Sequence, residues 1–482
     1  MDIGTSSVRA SLYDGNANPL PRKSVKLERS LIVTADGGSE IDADAAFAQV
    51  VAAIDAIHKK AERSKNEIGF AATSAFWHSL VGIDAKGMPT TKALSWADTR
   101  SRKYSEVLRK RFNEGDVHNR TGAHFHSSYW PAKLLWLRHE FPDAFASTTR
   151  WLSLSDYFAL RLFDVERTSI SMASGTGILD IRKCKWDSEL LKFLKVKAQN
   201  LPTIVETDSE TFHLNKTFAK RWPHLKNTQW FPAIADGAAD NIGSGCITRG
   251  KAALMVGTSG AMRVAYIGAP PPKIPDGLWC YRIDRKRVII GGALSDGGGL
   301  YRWLDDNLKL PKNAEAEIPR RGAAAHGLTF LPFLAGERST GYHESATGAV
   351  LGLRSHTDSI DILQAAMESV AYRFAEIFDQ LNRVVKIKEI VASGGALRDS
   401  PVWTQIIADV LGRDLTIGVA KESSSRGAVL LALETTGKID NIDDSSTASA
   451  NKTKYHPKCH MIYNLARKRH HIDYELILDR KL

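Results

Sequence analysis

Cysteine is scarce in this chain. Four residues, Cys184, Cys246, Cys280 and Cys459, are scattered over 482 positions with no C-x-x-C pair among them. That excludes a disulfide framework and a zinc site of paired thiolates, and a reducing, cytoplasmic location is expected. No run of 18 apolar residues occurs, so no membrane-spanning helix is expected. The opening MDIGTSSVRA is not a basic segment followed by an apolar stretch, so no secretory signal is expected. No G-x-x-x-x-G-K-[ST] loop is present, so any phosphate site must be built in another way. Long basic runs are missing too. The net charge is +11, but Arg109-Lys110-Arg111, Arg285-Lys286-Arg287 and Arg467-Lys468-Arg469 are short and not interleaved with aromatics. They read as solvated surface, and neither nucleic acid nor membrane is expected as a partner.

The chain has 43% hydrophobic and 25% charged residues, the balance of a soluble globular protein, and a length that suits two to three domains. An internal echo organises it. Gly4-Thr5-Ser6-Ser7-Val8-Arg9 near the start is matched by Gly257-Thr258-Ser259-Gly260-Ala261-Met262-Arg263 about 250 residues on, and a one-residue gap aligns the arginines. Each copy reads as strand, glycine-hydroxyl turn, strand, which suggests two domains of common design. Residues 68–72 and 93–96 are strand-like. Residues 130–141, 152–163 and 361–382 have helical apolar spacing. Residues 389–392 read as a strand ending in Ser393-Gly394-Gly395, followed by a helix capped by Asp399 or Ser400 with Pro401 in its first turn. Alternating strands and helices of this kind predict an α/β protein with mainly parallel sheets. The small, polar residues 442–452 predict a loop or linker, and the basic tail beyond them has helical spacing.

Several segments carry chemistry. Phosphate needs clustered N–H and hydroxyl donors and close backbone approach, which a Gly-Thr-Ser turn supplies. Two such turns could clamp a triphosphate from both sides, although either alone is equally an ordinary hairpin. Asp2, beside the first turn, could hold Mg²⁺ through water, or be a plain N-terminal acid. The apolar run 231–235 delivers Asp236 to a helix start, where the dipole favours its ionised form. An ordinary carboxylate there could accept the proton of an attacking hydroxyl, or simply cap the helix. Asp240, one turn on, is expected to face away. Gly394-Gly395-Ala396 would let a base or sugar lie against the backbone.

Taken together these segments resemble the FGGY family of carbohydrate kinases, of the actin-like ATPase superfamily. Asp2-Ile3-Gly4-Thr5-Ser6 and Gly257-Thr258-Ser259-Gly260 look like its two phosphate motifs, and Ser393-Gly394-Gly395-Ala396 with Trp403, Gln405 and Asp409 looks like its adenosine motif. Asp236-Gly237-Ala238-Ala239 stands where the catalytic aspartate belongs, and Leu331 to Arg338 is a further family-like segment. Within the family the chain is most similar to gluconokinases, through Phe76-Trp77-His78-Ser79-Leu80, Ser95-Trp96-Ala97-Asp98-Thr99-Arg100-Ser101 and Ala173 to Gly177.

The resemblance implies two duplicated, ribonuclease H-like domains around a cleft. The expected division is 1–246 for sugar, 247–440 for nucleotide, and 441–482 as linker and helical tail. It implies ATP and Mg²⁺ as cofactors and phosphorylation of a terminal hydroxyl of a sugar or sugar acid, gluconate first and xylulose or ribulose next. Gly4, Thr5, Ser6, Ser7, Gly257, Thr258, Ser259, Gly260, Gly394, Gly395 and Ala396 would bind ATP, and Asp236 would be the base. Trp77, His78, Asp98 and Arg100 would join Asp236 around the substrate, with Arg100 suited to an acid. Equally, His78 could be a satisfied core histidine and Arg100 a structural partner of Asp98. A homodimer is left open. Three departures stand out. Only Met1 precedes Asp2, so a shortened first strand is expected, and a sugar sensor without activity is the reading it motivates. Ser339 to Gly348 lacks a later family arginine. Trp77 is bulkier than the usual residue before the histidine and is expected to alter pocket size.

Overall fold

The computed structural model describes residues 1–62, 67–206, 210–418, 422–442 and 449–478. Two mixed sheets organise the molecule. The first runs in space Ile234–Ala235, Ser74–Ala75, Asp2–Ile3, Ser7–Tyr13, Pro19–Glu28. The second runs Trp279–Arg282, Arg287–Leu294, Gly260–Ile267, Lys251–Val256, Glu389–Ser393, Leu415–Gly418, Ser449–Thr453. The pairing repeats. Asp2–Ile3 lies antiparallel to Ser7–Tyr13 and parallel to Ser74–Ala75. Lys251–Val256 lies antiparallel to Gly260–Ile267 and parallel to Glu389–Ser393. The internal echo therefore marks the same station in both sheets.

The expectation of mainly parallel sheets is corrected by this pattern. Strands joined by tight turns must run antiparallel, and only strands reached through helical crossovers run parallel. Around the second turn three antiparallel pairs join four strands, so antiparallel pairs outnumber parallel ones in that sheet.

Helices Trp130–Glu140, Leu154–Phe163 and Ser359–Val384 form where apolar spacing places them. Ser400 caps Pro401–Leu411 by accepting the Trp403 N–H, with a short helix Gly395–Asp399 before it. Packing contacts cross between the halves. Helix Ser423–Thr435 buries Ala428, Leu430, Leu431 and Leu433 in the core of the first sheet. Its Gly427 meets helix Asp236–Gly243 backbone to backbone, where a Cβ would collide with the Ala239 carbonyl.

The expected loop over 442–452 is also corrected in part. Residues 443–448 lie outside the described residues, and Ser449–Thr453 is an edge strand antiparallel to Leu415–Gly418. An open edge offers unpaired backbone groups, and pairing with them outweighs the weak strand preference of small polar residues. The tail helix Pro457–Leu478 then buries Tyr463, Ala466, His470 and Tyr474.

The first strand is two residues long, as expected. Beyond it the sheet opens. Gly69 to Ala72 and Ala10 to Tyr13 face one another across a cavity of about 500 Å³ walled by Ile54, Ile57, Leu225, Trp230 and Leu433. The Met1 ammonium donates to the Ala72 carbonyl at 2.8 Å on its border, and burial lowers its pKa.

Candidate active site

The second glycine-hydroxyl turn is built as a cradle. Gly257 N–H donates to the Ser259 carbonyl at 2.9 Å, closing the turn. A glycine run at the start of helix Gly298–Asn307 buttresses it. Gly297 and Gly299 N–H donate to the Thr258 carbonyl at 3.0 and 2.9 Å, and Gly298 N–H donates to the Gly257 carbonyl at 2.7 Å. Gly394 has φ +100° and its Cβ would strike the Val256 carbonyl, so only glycine lets the next strand end lie this close.

These pieces meet. Gly257, Thr258, Gly395 and Ala396 line one cavity of about 510 Å³ together with Gly298 and Trp403. Tyr301, Arg302, Asp305 and Glu315 line it as well, and nothing in the sequence reading pointed to them. The three consecutive glycines at 297–299 were a legible signal that went unused. Ser259 sits in the turn, and Gly260 starts the following strand with Phe374 where a Cβ would go.

The first turn is held from behind. Arg29 donates to the carbonyls of Gly4 and of Thr5, and its own N–H reaches the Ser6 carbonyl at 2.8 Å. Burial lowers the Arg29 pKa to about 10. Ser7 begins the next strand. Residues 4–7 do not line the cavity described above. The second turn's following strand packs instead on helix Asp236–Gly243.

That helix carries the carboxylates. Asp236 is its first residue, with Oδ1 accepting the Gly237 N–H at 2.7 Å. Burial pushes its pKa up to about 6, against the attraction of Arg263, with Asp2 and Asp240 adding repulsion. The expectation of an ordinary carboxylate is therefore corrected. Desolvation outweighs the helix dipole, leaving a carboxyl group that titrates near neutrality.

Asp240 does not face away. Its carboxylate pairs with Arg263 at 2.6 Å and accepts the Ser423 hydroxyl. Arg263 lies in the strand after the second turn, so it ties that turn to the helix. Asp2 has its pKa raised by burial, and Asp240 is among the charges acting on it. Asp2, Asp236 and Asp240 thus act on one another electrostatically, with Arg263 paired to Asp240, and Asp2 is the carboxylate that could hold a hydrated divalent cation through water.

The surroundings of Trp77 and His78 are aromatic and come from both halves. Trp77 is buried, donates Nε1–H to the Ser171 carbonyl at 3.0 Å, and sits edge-on to Tyr281 at 5.0 Å. A Cβ on Gly237 would meet the Trp77 ring, so Trp77 touches the start of the Asp236 helix. His78, at φ +70°, is bonded through Nδ1 to the Gly175 carbonyl. Burial, then the charge of Arg338, hold its pKa well below the usual value. A neutral imidazole with Nδ1 donating leaves Nε2 as an acceptor for a hydroxyl. Tyr129 and Tyr281 share a hydroxyl–hydroxyl bond of 2.6 Å.

Asp98 and Arg100 are joined chiefly to each other. Asp98 is 1% exposed and bonds Arg100 at 2.6 Å and the Ser39 N–H at 3.0 Å. Arg100 also pairs with Glu40 at 2.5 Å and stacks over Trp136. This is the ion pair the sequence left open, and it spends the guanidinium.

Two cations missed by sequence reasoning stand closer to His78. Lys133 is fully buried, donates to the carbonyls of His78, Ser95 and Ser128 at 3.0, 2.7 and 2.8 Å, and is pushed down to about 7 by burial. Arg338 lies over the Trp96 ring at 5.6 Å, and its charge acts on His78, His126, Tyr129 and Tyr281. Among the described residues no carboxylate pairs with it. Its neighbour Glu337 points the other way, to Arg373 and to the Tyr474 hydroxyl of the tail helix at 2.7 Å.

Comparison with known proteins gives a consistent pattern. The N-terminal domain of the FGGY family of carbohydrate kinases matches residues 1–243, and the C-terminal domain matches residues 252–435. The chain is 28% identical to a gluconokinase of Bacillus licheniformis over 95% of this chain and 91% of that protein. It is 25% identical to a xylulose kinase of Staphylococcus xylosus over 90% of this chain and 89% of that protein. The crystal structure of gluconate kinase from Lactobacillus acidophilus superimposes with a TM-score of 0.91 at 26% identity, covering 100% of this chain and 98% of that one.

Proposed function

This chain belongs to the FGGY family of carbohydrate kinases, and from that premise we propose that it phosphorylates a terminal hydroxyl of a sugar acid, gluconate giving 6-phosphogluconate. A phosphotransferase of this family takes its phosphoryl group from ATP. The cavity walled by Gly257, Thr258, Gly395 and Trp403 is the seat we assign to the nucleotide. Gly4, Thr5 and Ser6 would approach the phosphates from the other half.

Asp236 would accept the proton of the attacking hydroxyl. The substrate oxygen forms a bond to the γ-phosphorus as the bond from that phosphorus to the β,γ-bridging oxygen breaks, and ADP leaves. Mg²⁺, when bound, would offset charge on the phosphates, with Asp2 holding it through water. His78 Nε2 would accept from a sugar hydroxyl, and Trp77 would wall the pocket beside Asp236. A cytoplasmic setting suits an enzyme that draws on ATP.

The observation that carries the choice of an acid is Arg338. A guanidinium beside His78 and Tyr129, with no carboxylate partner among the described residues, supplies the bidentate donor that a substrate carboxylate needs. Arg100, the residue the sequence suggested for this role, is already engaged by Asp98 and Glu40. A neutral ketose such as xylulose would leave Arg338 without a counter-charge.

The test is a coupled ADP-release assay over gluconate, xylulose, ribulose and glycerol, repeated with Arg338→Met. Gluconate should be preferred, and the variant should raise its KM about 10- to 100-fold while barely changing turnover of neutral polyols. An unchanged gluconate KM in the variant, or turnover of neutral sugars alone, would overturn the assignment. Sugar binding with no ADP release would favour the sensor.

A further inference from the structure

Away from the cleft, three metal-ligating side chains of different chemistry converge where the tail helix begins. Asp409, near the end of helix Pro401–Leu411, is 4% exposed. Its Oδ1 accepts the His456 backbone N–H at 2.6 Å and Gln405 Nε2–H at 2.9 Å. Its Oδ2 lies 3.2 Å from His456 Nδ1. Cys459, in the first turn of the tail helix, completes the group, and the three donor atoms all lie within 4.8 Å of one another.

We propose that Asp409, His456 and Cys459 bind one zinc-class divalent cation, which pins the tail helix to a helix that walls the nucleotide cavity.

The donor set argues for this metal class. A carboxylate, an imidazole and a thiolate are the ligands that zinc and cobalt(II) accept in a tetrahedral shell, with bonds near 2.0–2.3 Å. Ligand atoms in such a shell stand about 3.3–3.7 Å apart. The carboxylate–imidazole pair is already at 3.2 Å, and the thiol needs to close only a short distance.

The surroundings are consistent. Backbone N–H and Gln405 orient the carboxylate, as outer partners do at metal sites. The His456 side chain is 60% exposed, which gives an entry path and room for a water in the fourth position. His460 is spoken for, with Nδ1 at the Asp409 carbonyl at 2.9 Å and Nε2 at Asn464. The spacing His456-x-x-Cys459 puts both ligands at one helix end, with Asp409 arriving from 47 residues earlier, so the ion would bridge two elements.

Asp409 and Gln405 stand in the stretch that resembles the adenosine motif but do not line the nucleotide cavity, and His456 and Cys459 belong to no assigned site, so variants of those two test the metal site separately from the kinase reading. The full chain, stripped with a chelator, is titrated with Co²⁺ and with Zn²⁺. One equivalent of Co²⁺ should bind and give a thiolate-to-cobalt charge-transfer band in the near ultraviolet, which Zn²⁺ displaces. Cys459→Ser should abolish the band, and His456→Ala, at a side chain 60% exposed, should weaken Zn²⁺ binding at least 100-fold. Basal kinase turnover should persist in both variants. Zn²⁺ should raise the Tm of the parent protein and not of His456→Ala. Absence of saturable one-to-one binding, or a charge-transfer band that survives Cys459→Ser, would overturn the proposal.

Discussion

Replacing Asp236 with asparagine separates catalysis from stability in opposite directions. The carboxyl titrates near 6 in the folded chain against an ordinary value of 3.8, because burial disfavours its charge. By linkage, that difference corresponds to about 3 kcal/mol held against the folded state once the group is ionised. Contact with solvent reduces what a substitution recovers, so about 1–3 kcal/mol is expected.

The sign follows from the two pKa values. Below pH ~4 the carboxyl is protonated folded or unfolded, and asparagine has no advantage. Between about pH 4 and 6 only the unfolded chain has lost its proton, so wild-type stability falls with rising pH and the advantage of the variant grows. Above about 6 it is complete. Asparagine keeps an oxygen for the Gly237 N–H, so the helix start is preserved.

Thermal melts of both proteins from pH 4 to 8 should therefore converge at the acid end and separate by a few degrees at the alkaline end, with the variant higher. The same variant should lose at least 100-fold in kcat, the loss of a general base. Wild-type kcat should itself fall on acidification through about pH 6. A variant that melts lower than wild type at pH 8, or that retains kcat within a few fold, would refute the assignment of a desolvated base at 236.

One further outcome is expected. Lys133→Met removes a buried ammonium from the carbonyls of His78, Ser95 and Ser128, which should cost about 2–5 kcal/mol and raise the KM for sugar at least 10-fold while leaving that for ATP near its original value, checked by melting and initial-rate kinetics.

How much of this was legible beforehand depends on the range of the interaction. The glycine-hydroxyl turns, the helix starting at Asp236 and the Ser400-Pro401 cap were readable because each is specified within a few residues. The state of Asp236 was not, since desolvation depends on Trp77, Arg263 and Asp2, which arrive from elsewhere in the chain. Asp98 and Arg100 are two residues apart, and their pairing was foreseen as an alternative. That Glu40 and Trp136 would complete the guanidinium's surroundings was beyond local reading.

The sequence by itself determined the duplicated plan, because backbone turns that need glycine recur at the same station of each half and the hydrophobic spacing between them admits only α/β elements. The tertiary structure alone decided which charges are free to act. Among the described residues Arg338 has no carboxylate partner, because Glu337 is claimed by Arg373 and the tail helix, whereas Arg100 is engaged by Asp98 and Glu40. Charge in a protein takes its meaning from neighbours and solvent access, and both are properties of the folded chain.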